Sequence, residues 1–183
     1  MFAQLLERLA HALNDARLPY MIIGGQAVLL YGEPRLTRDI DITLGVDIDR
    51  QADVASAATK LGLALLVTPE SFTKQAMVLP CLDPATGIRV DFIFSFTPYE
   101  RQAIERAVSV AIGQAQVRFA TAEDLIVHKM LAGRPRDHED VTGILLKRPD
   151  LDSSYIRHWL TQFAATIHQP LVEQFEALIR NSR

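Results

Sequence analysis

The chain has 183 residues, of which 49% are apolar and 22% charged, with a formal net charge of −3. That balance excludes a disordered chain and a nucleic-acid binder that works through general basic charge. Cys81 is the single cysteine, which excludes an internal disulfide, and no stretch reaches the ~18 apolar residues of a membrane span.

The N-terminal stretch carries Glu7 and Asp15 and lacks the basic-then-apolar order of a signal peptide, so a cytoplasmic location is expected. Leu5, Leu6, Leu9, Ala10 and Leu13 recur at helical spacing, which predicts a helix over 2–16, stopped before Pro19. Tyr20–Ile23 reads as a short apolar strand ended by Gly24-Gly25, and Gln26–Tyr31 as a short helix. Gly32, Pro34 and Thr37 mark a loop. Asp39–Leu44 alternates polar and apolar residues as a strand does, and Ala52–Leu61 is helical. Leu63–Val67, Ala76–Leu82 and Ile88–Phe94 read as strands, the last two joined as a hairpin across Asp83–Gly87. Pro98–Arg106 is a short helix. Ser109–Ile112 and Ala115–Phe119 flank Gly113-Gln114, a second hairpin signal. From Thr121 to the end the pattern is helical, with breaks at 133–135, 149–153 and 169–170. The expected organisation is an α/β (α+β) core over 1–120, with a mixed sheet and flanking helices, followed by a helical part over 121–183 packed on it.

Asp39-Ile40-Asp41-Ile42 is the chemical centre of the sequence. Strand side chains alternate faces, so Asp39 and Asp41 point one way, about 7 Å apart at a rise of ~3.3 Å per residue, while Ile40 and Ile42 point into a core. Asp91 is one acid in the apolar run Val90–Phe94. An acid buried there is costly unless paired or metal-bound. If the two strands are neighbours, three carboxylates converge, the oxygen-rich set that hard divalent cations take and that a two-metal phosphoryl-transfer site needs.

Gly24-Gly25 sits between a strand and a short helix. Glycine allows a tight turn and close backbone approach, and the amides at the following helix N-terminus can face an anion. The sequence has neither G-x-x-x-x-G-K-[ST] nor G-x-G-x-x-G. The order strand, Gly-Gly, thirteen residues, Asp-x-Asp and a later acid in an apolar strand resembles the nucleotidyltransferase superfamily of the polymerase-beta-like fold. Tyr20–Ala27 followed by Arg35–Asp41 is most similar to the AbiEii-type toxin nucleotidyltransferases. Lys129 and the run Arg134–Asp140 resemble the Lys and Arg-x-Lys-Asp-x-x-Asp motifs of those families, with Arg136 where the lysine stands and Gly25 where many members carry serine.

The resemblance implies transfer of a nucleoside monophosphate from a nucleoside triphosphate to an acceptor, with release of pyrophosphate. The acceptor is RNA such as a tRNA end, a protein hydroxyl or a small molecule, and a cognate antitoxin is an implied partner. Asp39, Asp41 and Asp91 would hold Mg²⁺ or Mn²⁺, two ions in all. Gly24 and Gly25 would cradle the triphosphate, with Arg35, Arg38, Asp137 and Asp140 as further nucleotide-site residues. Lys129 would neutralise phosphate charge as a catalytic residue. The alternatives are a non-catalytic regulatory or toxin–antitoxin partner of the same fold, and a kinase-like phosphotransferase.

Some of these residues also have plain structural readings. Asp137, following Pro135, reads equally as a helix N-cap with Asp140 three residues on. Thr121 reads as the cap of a helix on which Ala122, Leu125, Ile126 and Lys129 share one side and Asp124 and His128 another. Lys129 thus interrupts an apolar stripe, and either snorkels to water or meets an anion. His128 and His138 read as surface residues. Trp159, with Ile156, Leu160 and Phe163, reads as core.

Overall fold

A computed structural model of the chain describes residues 1–94 and 97–182, without the side chains of residues 70 and 71; residue 183, the end of the expected helical run, lies outside the described residues. The elements in chain order are α1 (Phe2–Asp15), β1 (Tyr20–Ile23), α2 (Gly24–Tyr31), β2 (Asp39–Leu44), α3 (Gln51–Lys60), β3 (Ala64–Leu65), α4 (Lys74–Ala76), β4 (Val78–Asp83), β5 (Ile88–Phe94), α5 (Pro98–Arg106), β6 (Val108–Ile112), β7 (Ala115–Phe119), α6 (Ala122–Ala132), α7 (Pro135–Lys147), α8 (Ser153–Ile167) and α9 (Leu171–Asn181). They form two compact units, one of residues 1–26 and 37–120, the other of residues 27–36 and 121–183.

The first unit is built on a mixed seven-stranded sheet in the order β3-β4-β5-β2-β1-β7-β6. The pairs β2/β5 and β1/β7 are parallel, and β1/β2, β3/β4, β4/β5 and β6/β7 antiparallel. Both expected hairpins form. Their turns close at Gly87 and Gly113, each at positive φ, where a side chain would be strained. Ile40, Ile42, Leu44, Val90, Phe92 and Phe94 alternate onto one face and are buried there. Leu5, Leu6, Leu9, Ala10 and Leu13 of α1 are buried as their spacing requires. The segment before β4 departs from the expected strand. Residues 69–73 wind as a π-helical turn and 74–76 as one α-turn, and Met77 takes a left-handed conformation, so the strand starts at Val78. β3 shrinks to two residues.

In the second unit α6 packs on α7 and α8, and α9 packs on α7 and α8. Leu125, Ile126, Met130, Val141, Ile144, Ile156, Leu160, Leu171 and Phe175 are fully buried among them. Thr121 caps α6, its Oγ1 accepting from the Asp124 amide at 3.1 Å, and Gly133 ends it in a left-handed C-cap. Asp124 is not on a polar face, because its carboxylate is buried and takes hydrogen bonds from the Thr121 and Tyr155 hydroxyls, each at 2.7 Å. His128 is not a surface residue either: its Nε2 is shut away from solvent, and burial lowers the ring's pKa to about 4 against a raising influence of Asp124. Trp159 is half-buried, in a row of ring contacts with Tyr155, His158 and Phe163.

Candidate active site

The first constellation lies on β1, β2 and β5. β1 ends at Ile23, directly across from Asp41 in the antiparallel pair. In the parallel pair Asp41 stands beside Asp91, and Asp39 beside Arg89. Side chains at such partners share a face. Asp39, Asp41, Arg89 and Asp91 therefore form one polar strip, on the face opposite buried Ile40, Ile42, Val90 and Phe92. Asp39, Asp41 and Asp91 are half-buried and Arg89 is exposed.

Gly24 is required here twice over. Its φ is +62°, and a Cβ at this position would stand 1.9 Å from Asp41 Oδ2. Only a residue without a side chain lets the chain pass this close to the carboxylate. Gly25 is buried in the first turn of α2. Next to it, Gln26 is 6% exposed, and its Nε2 has no hydrogen-bond partner among the described residues. Such a buried donor costs free energy unless a ligand or water accepts from it.

The three acids are brought onto one strip, yet the carboxylates of Asp39 and Asp91 are turned to neighbours. Asp39 Oδ1 accepts from Thr37 Oγ1 at 3.3 Å. Asp91 Oδ1 accepts from Arg89 Nε at 2.8 Å. Among the described residues no three His, Cys, Asp or Glu side chains gather as a group able to hold a metal ion. The expected convergence thus extends to strand, face and register, and side-chain rotation would have to complete it. The donor set still suits a hard divalent cation, being three carboxylates beside a glycine cradle. Cys81, a softer ligand, is excluded from this strip. It faces the side of Val90, and burial pushes its thiol up to about 12, with Asp91 adding a smaller push.

The second constellation lies within the helical unit. Lys129 Nζ sits 2.7 Å from Asp137 Oδ1 and 2.8 Å from Asp140 Oδ2, with all three side chains buried. Arg35 makes a bidentate pair with Asp140 at 2.9 and 3.1 Å. Arg134 Nε reaches Asp137 Oδ2 at 2.7 Å. Lys129 neither snorkels nor stands alone. Asp137 is not the N-cap of α7, because the helix starts one residue after Arg134. It is the third helical residue, and it accepts from the Arg134 backbone amide in a capping box. Burial raises the Asp137 pKa, but the hydrogen bonds from Arg134 and Lys129 outweigh it, and the net direction is down. Arg38 is exposed in the first unit.

Arg89, Thr37 and Gln26 are the site residues that sequence reasoning missed. The signal for two of them was present: each of Arg89 and Thr37 lies two residues before an aspartate, the spacing that shares a strand face.

A family model described as nucleotidyl transferase AbiEii toxin, type IV TA system, matches residues 4–180. The chain belongs to the AbiEii family. No curated protein sequence matches it. Among solved structures, this AbiEii-family chain is similar to the antibiotic-resistance factor ANT(2'')-Ia, with a TM-score of 0.63 and 16% identity over 91% of this chain and 92% of that one. It is similar to an antigenic nucleotidyltransferase-like protein from Paracoccidioides brasiliensis, with a TM-score of 0.56 and 17% identity over 96% and 92%. The lincomycin-bound lincosamide antibiotic adenylyltransferase LnuA gives 0.50 and 17% over 73% and 89%. At these identities the likeness establishes the fold: the AbiEii-family chain has the nucleotidyltransferase α/β architecture.

Proposed function

We propose that this chain is a metal-dependent nucleotidyltransferase that moves a nucleoside monophosphate from a nucleoside triphosphate to an acceptor hydroxyl and releases pyrophosphate. The observation that carries the reading is the closure of Gly24 onto Asp41, with Asp91 in register beside it. A carboxylate pair fitted against a glycine turn at a strand end is the arrangement a triphosphate and its cations need. Asp39, Asp41 and Asp91 would hold Mg²⁺ or Mn²⁺. Bound there, the cations would supply charge neutralisation of the triphosphate and of the oxygens that gain charge in transfer.

The chain's own residues have the following roles in this reading. The amides of Gly24 and Gly25 and the spare Gln26 amide donate to phosphate oxygens. Thr37 orients Asp39 through its hydroxyl. Asp91 accepts the proton of the acceptor hydroxyl. Lys129 belongs to the other unit, and a phosphate role for it rests on the family resemblance alone. An ammonium has three donors, and two aspartate oxygens engage it. The family description supports a toxin role with a cognate antitoxin as partner. The acceptor is an RNA end, a protein or a small molecule.

The test is incubation with α-labelled nucleoside triphosphates, Mg²⁺ or Mn²⁺, and cellular RNA or protein. Label transferred to one pool with stoichiometric pyrophosphate supports the reading. Release of nucleoside diphosphate, or transfer undiminished by a chelator, overturns it.

A further inference from the structure

We propose that Arg89 is the resident counter-ion of the carboxylate strip and competes with the divalent cation for Asp91, so that this one side chain sets the metal affinity of the site. The inference rests on the reading of Asp39, Asp41 and Asp91 as metal ligands.

Arg89 reaches this role through strand geometry. It lies two residues before Asp91 on β5 and directly beside Asp39 on β2, so its stem rises from the same face as all three acids. Its Nε donates to Asp91 Oδ1 at 2.8 Å, the Arg89 side chain being 54% exposed and that of Asp91 16% exposed. The field of the strip acts on it as well: the bond and charge of Asp91 foremost, then Asp39 and Asp41, hold its pKa above the ordinary arginine value. Asp91 lies directly across from Asp41, and Asp39 is two residues along, so the carboxylates repel one another and a cation among them relieves the repulsion.

The same contact works against a metal. A divalent cation held by Asp91 would share that carboxylate with the guanidinium and would repel it at short range. Arginine stays charged at every pH at which the carboxylates are ionised, so it is a constant competitor. Its exposed stem lets the head swing to solvent once the carboxylate is taken. An exposed ion pair adds little to stability by itself. Its consequence is read in metal affinity.

The experiment is titration of the full chain with Mn²⁺, following free Mn²⁺ by electron paramagnetic resonance, for the wild type, Arg89→Gln, Arg89→Lys and Asp41→Asn. One charge a few ångströms from a divalent ion at near-aqueous dielectric shifts affinity by about tenfold. Arg89→Gln is expected to bind Mn²⁺ about tenfold more tightly than the wild type, with the gap narrowing as salt rises. Arg89→Lys, which keeps the charge, is expected to stay near the wild type. Wild-type and Arg89→Gln affinities that coincide, while Asp41→Asn loses binding, overturn the competition and leave the metal-ligand reading standing. Equal tightening in Arg89→Lys also overturns it, since charge would then not be the cause. A wild type that binds no Mn²⁺ removes the metal-ligand reading, and the inference falls with it.

Discussion

Replacing Lys129 by methionine tests the buried network of the helical unit. The side chain is of similar length, so packing is largely kept and the charge alone is lost. In the native protein the amine lies 2.7 Å from Asp137 and 2.8 Å from Asp140, with side-chain exposures of 6%, 3% and 6%. Removing one partner of a buried ion pair costs about 3–5 kcal/mol, because the remaining charge is left desolvated. Here the lower end applies. Asp140 keeps its bidentate Arg35 and Asp137 keeps Arg134. A loss of about 3 kcal/mol lowers Tm by roughly 6–12 °C in a chain of this size. Thermal unfolding followed by circular dichroism measures it. Adding Asp140→Asn removes a carboxylate left behind, so Lys129→Met/Asp140→Asn should be more stable than the sum of the single losses, with a coupling of about 0.5–3 kcal/mol. Equilibrium binding of a nucleoside triphosphate to Lys129→Met at low temperature tests the phosphate assignment separately, with about tenfold or greater weakening expected for a lost charge contact. A Tm within about 1 °C of the wild type, against the 2–4 °C expected per kcal/mol, would refute the structural reasoning.

Further outcomes follow from the site and its surroundings. Gly24→Ala is expected to lose at least about 100-fold in transfer, the scale of a 1 Å displacement in a reacting constellation, because the new Cβ must push the Asp41 carboxylate aside; steady-state kinetics beside a near-wild-type circular dichroism spectrum checks it. Asp39→Asn and Asp41→Asn are each expected to abolish metal-dependent transfer while Tm holds or rises slightly, since like charges are removed from one strand face; a variant with wild-type turnover rules out the metal-ligand role. Acid should destabilise the protein in two stages. His128 has a folded pKa of about 4, below its ordinary value of 6.5, so the unfolded chain takes up the proton first and stability is lost as pH falls from about 6.5 toward 4, then levels. The depressed Asp137 pKa adds stability that is full above about pH 4 and is lost as pH falls through the lower folded value. Urea midpoints across pH should lose the first limb in His128→Gln and the second in Asp137→Asn.

Much of this protein was legible from local pattern. The alternation around Asp39 and Asp41 defined their common face, because side-chain direction on a strand depends only on position. Gly24 before a short helix announced the turn, and the glycine, Asp-x-Asp and isolated-acid order pointed to the family that the chain proves to belong to. The parallel register of β2 with β5, which sets Asp91 beside Asp41, was beyond local pattern, since Asp91 stands fifty positions after Asp41 and no short-range rule selects the pairing. The 1.9 Å approach that forbids a side chain at Gly24 likewise exists only once β1 and β2 are paired. Burial decided the remaining cases. His128 read as a surface residue and Asp124 as part of a polar face because they are polar, but the His128 Nε2 is shut away from solvent, and the Tyr155 hydroxyl that satisfies Asp124 comes from α8, thirty-one residues away. Lys129 read as a choice between water and phosphate. Folding supplied two aspartates from the next helix, and charge pairing across helices is what a single helical wheel leaves out.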